Sequence, residues 1–432
     1  MSAAPPVSDR AASGPPRAVA VVGGGAAGLV AAVFAARAGA RVVLLERTRR
    51  GGKKIVVSGG GRCNVLPSAV DAGRFVTVGS PRLLRRILDS WPLAEQRAFF
   101  EHDLGVPLAL EPETGKLFPA SNRATDVRDA LVEAARAAGA DVRFDTLVTS
   151  LEPGGAGRRA WRVGVQDAAP LDVDAVVLAT GGLSVPKTGS DGFGLRAAEA
   201  LGLRVEPTYP ALTPLTAGDG QAAPHADLSG VSLDVAVRAP SDKRAGRAGV
   251  GTTGGFLFTH RGYSGPAVLD VSHLATLSRT LGDGGQPVLV RWADRDAQAW
   301  DAALRAPGPG TVLGDLKDAL PARLAEALLS EADVPTTRNR ADLRRDERRR
   351  LVAVLTEYPL PWTGDEGYKK AEVTGGGVAL SEVAAHSLEA RARPGLFLCG
   401  EVLDAFGPIG GYNFLWAWAT GRLAGRGAAA AP

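Results

Sequence analysis

The sequence predicts an α/β fold in which one parallel-sheet domain is assembled from both ends of the chain around an insertion. Three observations predict it. Near the start, the apolar run AVAVV is followed by a glycine turn, an alanine-rich stretch and a second apolar run. Near the end, GLFLCGE reads as a buried strand stopped by glycine, and another glycine turn leads into an apolar helix. Between them, after about Arg204, the texture changes to short β-like runs broken by glycine and proline.

Taken in order, a strand at Ala18 to Val22, a helix at Ala26 to Ala38 and a strand at Arg41 to Leu45 make a βαβ unit. Helical patterns follow at Pro81 to Glu101 and Thr125 to Ala138, separated by GVPLALEPETGKLFPASN, which reads as a hairpin. Strands resume at Val142 to Leu151, Trp161 to Val165 and Ala175 to Leu178. GVSLDVAVRAP, GGFLFTH and QPVLVRWAD then suggest an inserted β-barrel. From about Thr311 to Leu355, leucines near 3.6 spacing give a helical subdomain, and the helix from Asn413 to Gly425 returns to α/β grammar. The expected boundaries are 17–204 with 371–432 for the sheet domain, 205–310 for the barrel and 311–370 for the helical subdomain.

Composition narrows the function. At 432 residues, 45% hydrophobic and 22% charged, the chain buries a large core divided into two or three domains. Fifty basic residues against 46 acidic ones leave a net charge of only +4, so no nucleic-acid partner is expected. The arginines from Arg338 to Arg350 are interrupted by Asp342, Asp346 and Glu347, as on a solvated helix face. Cys63 and Cys399 are the only cysteines, which fits a reducing, cytoplasmic setting. The opening MSAAPPVSDRAASGPP has no apolar core of a signal peptide or anchor and reads as a frayed tail up to about Pro16, so no membrane partner is expected.

Gly23, Gly25 and Gly28 form GxGxxG between a strand and a helix. The first permits the tight turn, the second lets a pyrophosphate approach the backbone, and the third lets helix and strand pack closely, as in a Rossmann-type dinucleotide site. Glu46 ends the second strand, where a carboxylate accepts ribose hydroxyls and repels a 2′-phosphate. Three further segments favour FAD over NAD. Ser58, Gly59, Gly60, Gly61, Arg62, Cys63 and Asn64 form a glycine-rich loop able to lie beside a flavin. AVVLATGG is an apolar strand ending in Thr180, Gly181 and Gly182. In GEVLDAFGPIGGYN, Gly400 and Glu401 end a strand, while Gly410, Gly411, Tyr412 and Asn413 open a helix whose free N–H groups favour negative charge on a reduced flavin.

The motifs GGGAAGL, GGKKIVVSGGGRCN, LATGGLSVPKTGSDGFG, FLFTHRGYSGPA, AEVTGGGVAL and LCGEVLDAFGPIGGYNFLWAWATG occur in this order. Together they resemble the bacterial FAD-enzyme family of aminoacetone oxidase-like and dehydro-bile-acid reductase-like flavoproteins, from about Val19 to Gly425. The resemblance implies a Rossmann-type FAD-binding domain interrupted by a β-barrel and a helical subdomain. It implies FAD contacts at the turn, including Ala26 and Ala27, at Glu46 with Arg47 and Lys53, along the Ser58 to Asn64 loop, at Thr180 and Gly181, and from Gly400 to Asn413, with Val148 meeting the adenine through its backbone. Where the family commonly has threonine after the asparagine, this chain has Val65 and Leu66, which implies one polar contact fewer near the flavin.

No Ser/His/Asp triad, CxxC or metal-spaced histidine cluster occurs, so no metal is expected. Flavin N5 performs hydride transfer itself, leaving the protein to orient a small-molecule substrate and supply a proton. Tyr412 and His260, the latter in FTHRGYSGP, are the candidate proton donors, and Arg62 is placed to orient an anionic or carbonyl group. Thr374 to Gly377 reads equally as a junction lining and as a hinge. GSDGFG has the wrong spacing for a second dinucleotide turn, which leaves NADH or NADPH as a transient electron donor. The residues leave open a reductase of conjugated carbonyls, an amine-type oxidase, an RNA-modifying flavoprotein and a flavin-binding regulator without turnover; oligomeric state is not legible.

Overall fold

The computed structural model describes residues 15–155, 159–218, 223–241, 249–282 and 285–430, so the expected polar tail lies almost wholly outside the described residues. Along the chain run β1 (Ala18–Val22), α1 (Ala26–Arg37), β2 (Arg41–Leu45), α2 (Lys53–Val57), α3 (Pro81–Asp89), α4 (Ala124–Ala137), β3 (Asp141–Arg143), β4 (Ala175–Leu178), β5 (Val205–Ala211), α5 (Pro266–Thr280), β6 (Val373–Val378), β7 (Leu396–Leu398) and α6 (Tyr412–Ala429). Five of the strands form a parallel sheet in the order β7-β4-β1-β2-β3. The strand from the far end of the chain thus pairs with β4 and completes the sheet begun by the first residues. The unbroken apolar sequences of β1 and β4 are fully buried, as parallel strands covered on both faces require.

α1 and α6 cross one face of this sheet with their backbones close together. A side chain at Gly421 would meet the Ala27 carbonyl oxygen at 2.4 Å, and one at Gly425 would meet that of Ala31 at 2.3 Å. Between β3 and β4 the chain makes a three-stranded antiparallel meander, Val148–Pro153, Trp161–Val165 and Leu171–Val173. Another small sheet, Leu66–Pro67 with Leu108–Glu111 and Lys116–Pro119, includes the expected hairpin and flanks the glycine-rich loop.

Several elements are shorter than their local sequence signals. The helical pattern from Pro81 to Glu101 splits into α3, Leu93–Ala98 and a wide turn at Phe99–Asp103, because Pro92 has no N–H to continue the first helix. The strand expected from Val142 to Leu151 divides at Asp145, whose φ of 51° turns the chain out of the sheet. Pro321 and the turns before Arg345 likewise cut the leucine-rich segment into Val312–Lys317, Ala322–Glu331 and Arg345–Thr356.

The insertion carries a seven-stranded antiparallel sheet, ordered Tyr358–Pro359, Leu289–Arg291, Ser232–Ala239, Val250–Thr259, Gly262–Ser264, Leu215–Thr216 and Gly364–Asp365. No pairing joins its two edges among the described residues. Its own apolar core centres on Phe256, Phe258, Trp292 and Trp300, separate from the core of the parallel-sheet domain. In the arginine-rich segment Arg338 bonds Glu347 at 2.7 Å and Arg348 bonds Asp301 at 2.8 Å, while Arg344, Arg345, Arg349 and Arg350 are exposed. β5 and β6 pair antiparallel as a two-stranded neck, extended by Glu372 N–H donating to Leu212 O at 3.1 Å. Among the described residues no helix is long and apolar enough to cross a membrane.

Candidate functional site

Chain order reverses between β1 and β4, since the strands after β1 continue to one side and β4 lies on the other. In an open α/β sheet the crevice at the carboxyl ends of such strands is where ligands bind. A cavity of about 450 Å³ opens there.

The glycine turn forms its first wall. A side chain at Gly23 (φ 104°) would strike the Ala179 carbonyl oxygen at 2.5 Å, so the turn fits against the end of β4. One at Gly28 would lie 1.9 Å from the Gly23 carbonyl oxygen, so helix and turn touch without a side chain between them. Gly25 faces open space and lines the cavity together with Gly23, Ala26 and Ala27. Each of the three glycines therefore meets a different steric demand. The Glu46 carboxylate, buried at the end of β2, accepts from Gly24 N at 2.6 Å and Thr48 N at 2.8 Å while still facing the cavity. Arg47, Lys53, Val148, Thr180 and Gly181 line the same space. The buried Thr180 hydroxyl has no hydrogen-bond partner among the described residues.

The glycine-rich loop contributes Ser58, Gly59, Arg62 and Asn64 to the lining. Gly60 and Gly61 are exposed and supply only left-handed turn geometry. Cys63 adopts φ 61° and is buried beneath the loop, where desolvation pushes its thiol up to about 12. It is a packed neutral group and does not line the cavity. Val65 and Leu66 are also fully buried, Val65 N–H bonding Leu117 O at 2.9 Å, so this departure from the family pattern anchors a strand. Arg62 stacks over Phe118 at 4.0 Å and pairs with Glu111 at 3.0 Å.

The C-terminal segment closes the other side. Gly400 is held in a left-handed conformation because its N–H donates to Thr420 Oγ1 at 2.9 Å and its carbonyl accepts from Trp416 Nε1 at 3.1 Å, both on α6. Asn64, with its amide oriented to satisfy both groups, accepts from Gly411 N at 3.0 Å and donates to Leu66 O at 3.2 Å. Asn413 lines the cavity, yet its side chain is spent on Gly407, accepting from N at 2.9 Å and donating to O at 3.0 Å. Gly410 and Gly411 line the cavity beside it.

Neither expected proton donor reaches this space. Tyr412 begins α6 but is buried away from the cavity, its hydroxyl donating to Ala69 O at 3.2 Å and its ring edge-on to Phe75. His260 sits exposed on the tight turn between two strands of the inserted sheet and is not among the residues that line the cavity.

Lys54, Ser184 and Glu372, which sequence reasoning missed, gather around the expected Glu401 and Thr374 in a charged group deep in the cavity. Lys54 Nζ pairs with Glu401 Oε2 at 2.6 Å and donates to Ser184 Oγ at 2.6 Å; Glu401 Oε1 accepts from Ser184 Oγ at 2.5 Å, Thr374 Oγ1 at 2.8 Å and Thr374 N at 3.0 Å. Burial opposes ionisation of Glu401, but the Lys54 charge and these hydrogen bonds outweigh it and hold its carboxyl below the ordinary range. Glu372 lines the cavity nearby with its side chain open to solvent there; partial desolvation against the neck and the Glu401 charge, opposed by Lys54, push its carboxyl up. Lys116, from the small hairpin, is a further cation on the lining. No spacing marks Lys54, Ser184 or Glu372 as partners of Glu401 in the sequence, where the four are far apart.

The sequence matches the HI0933-like protein Rossmann domain over residues 17–427. It is 32% identical to the 3-dehydro-bile acid delta(4,6)-reductase of Clostridium scindens over 86% of this chain and 88% of that protein. It is 36% identical to the ribosomal RNA dihydrouridine synthase of Escherichia coli, over 57% of this chain and 58% of that enzyme, so the match spans less than two-thirds of the relative's length. In fold it is similar to the 3-ketosteroid delta1-dehydrogenase of Sterolibacterium denitrificans, with a TM-score of 0.50 at 14% identity, covering 94% of this chain and 98% of that one.

Proposed function

The chain belongs to the HI0933-like family of FAD-dependent oxidoreductases, and from that premise we propose that it reduces a carbon–carbon double bond conjugated with a carbonyl. The observation that carries this reading is one continuous cavity, running from the Gly23 turn and Glu46 to Gly400 and Asn413 and closed by Leu212, Glu372 and Val373 of the neck. Its open space over Gly25 and the unpaired Thr180 hydroxyl fit a dinucleotide. Glu46 holds the ribose, the turn and the α1 N-terminus receive the pyrophosphate, and the Ser58 to Asn64 loop with Gly400 to Asn413 takes the isoalloxazine. Bound FAD supplies hydride through N5, drawing its electrons from a visiting reduced nicotinamide.

The protein's own part is to hold the acceptor against that flavin. Leu212, Val373, Phe406 and Ile409 offer apolar surface at this end of the cavity, while Lys116 and Arg62 supply charge. Such a lining suits a flat, mostly apolar ketone with a polar end. The names of the two relatives converge on the same chemistry, since a dihydrouridine and a saturated bile-acid ring both arise by adding two hydrogens across a conjugated double bond.

A second reading is that the conjugated carbonyl is a uracil within ribosomal RNA. The relative named for that activity supports it, and so do Arg82, Arg85 and Arg86, which share an exposed face of α3 with no ion-pair partner among the described residues. The low net charge therefore does not exclude nucleic acid. The test is anaerobic: photoreduced holoenzyme is mixed with 4-androstene-3,17-dione or with an unmodified ribosomal RNA fragment, and flavin re-oxidation is followed. Re-oxidation by the ketone supports the first reading, re-oxidation by RNA alone supports the second, and neither overturns both.

A further inference from the structure

Hydride addition to a conjugated double bond leaves one carbon short of a proton, and the two side chains that sequence reasoning offered as donors lie outside the cavity. Glu372 is differently placed. It stands at the end of the neck among the residues that line the cavity, its side chain is exposed there, and its carboxylate accepts no hydrogen bond among the described residues. The neighbouring cation is already engaged, for Lys54 is held by Glu401 and Ser184. Two carboxyls thus lie within reach of the field of one ammonium, with Glu401 paired to it and fully hydrogen-bonded and Glu372 left unpaired on the cavity lining.

We propose that Glu372 is the proton donor of the site, with the Lys54–Glu401 pair as its positioning frame. This rests on the reduction reading above and serves both acceptors named there. The double bond breaks; the carbon farther from the carbonyl gains hydride from reduced flavin, the adjacent carbon gains the Glu372 proton, and the resulting carboxylate is re-protonated by water entering the cavity. Carboxyls pushed apart in acidity by their surroundings take different roles, the neutral one serving as acid. The groups facing Glu372 fit that division: partial desolvation and the Glu401 charge favour its neutral form, Lys54 alone opposes it, and Tyr368 lies within range of Glu401.

Wild type, Glu372→Gln and Glu372→Asp are compared as FAD holoenzymes. Re-oxidation is followed against pH: the wild-type rate should fall as pH rises and the Glu372 carboxyl ionises, and this alkaline loss should be absent from Glu372→Gln, a signature that a merely structural role would not give. Flavin reduction by dithionite should be equal in all three. Re-oxidation by the ketone or the RNA fragment, whichever wild type accepts, should slow roughly 10²–10⁴-fold in Glu372→Gln, the usual worth of a general acid, with partial recovery in Glu372→Asp. The same alkaline loss in wild type and Glu372→Gln, or equal re-oxidation in the two, overturns the assignment of Glu372. A wild type oxidised by neither acceptor overturns the reduction reading and this inference together, a pattern distinct from a failure of Glu372 alone.

Discussion

Glu46 carries two loads, bracing the turn through Gly24 and Thr48 and presenting its remaining lone pairs to the cavity. Glu46→Ala should weaken FAD binding by about 1.5–3 kcal/mol, the worth of hydrogen bonds to a charged group, and Glu46→Gln by less because it keeps one acceptor. Fluorescence titration of apo-protein with FAD measures both, and an unchanged dissociation constant in the Ala variant would mean that another residue holds the ribose. Its position was legible because distance from the glycine turn fixes it. Glu401 was legible too, at the end of its strand, whereas Lys54 and Glu372 were not, since they acquire their meaning only from their neighbours in space. A second residue-scale consequence concerns His273, whose fully buried ring is driven down to about 4 from 6.5 by desolvation, opposed by its contact with the Asp270 carbonyl. The unfolded chain then binds the proton first. The stability that depends on a neutral His273 is complete above about pH 6.5 and is lost as pH falls toward 4, at up to about 1.4 kcal/mol per pH unit. Urea unfolding across this window should show His273→Leu losing that slope, and an identical slope in both proteins would assign the effect elsewhere.

At the scale of elements, the crossing of α1 and α6 sets the cavity's geometry, because α6 also fixes Gly400 through Thr420 and Trp416. Gly421→Ala and Gly425→Ala would each drive a methyl against a carbonyl oxygen of α1. Overpacking of this kind costs about 1–3 kcal/mol, and here it should also weaken FAD binding by displacing Gly400. Calorimetry with and without added FAD separates the two effects. A lowered melting temperature with unchanged affinity would mean that the helix shifts without moving Gly400. The helix itself was legible in the sequence as an apolar run after a glycine turn. Its glycines were not legible as contact points, because periodicity shows which face is apolar and not which backbone it touches. The same gap explains Asn413 and Cys63: both sit in recognised motifs, yet one closes the loop from Gly407 and the other packs beneath the glycine-rich turn.

Over the whole molecule, the cavity draws its walls from the sheet domain and the neck, and none of its lining residues falls between 213 and 371. The insertion has a separate apolar core and meets the sheet domain through a small cluster of Tyr209, Ala211, Leu212, Val373 and Phe406, against which Leu269 and Leu277 pack. Leu212 and Glu372 already face each other across the neck, so replacing 213–371 with Asn-Gly would close β5 and β6 as a two-residue hairpin of a favoured type. The shortened chain should fold, bind FAD with affinity near that of the full chain and be reduced by dithionite. It should lose efficient re-oxidation by either acceptor, since removing Leu269, Leu277 and Asp270 uncovers Phe406 and frees the Ile409 amide at the substrate end. Flavin absorbance after gel filtration, circular dichroism and anaerobic re-oxidation report each property separately. A shortened protein that is folded but free of flavin would show that the insertion braces the cofactor wall. One that keeps full re-oxidation would show that the neck and sheet domain alone hold the acceptor, leaving the inserted sheet for contacts farther from the flavin.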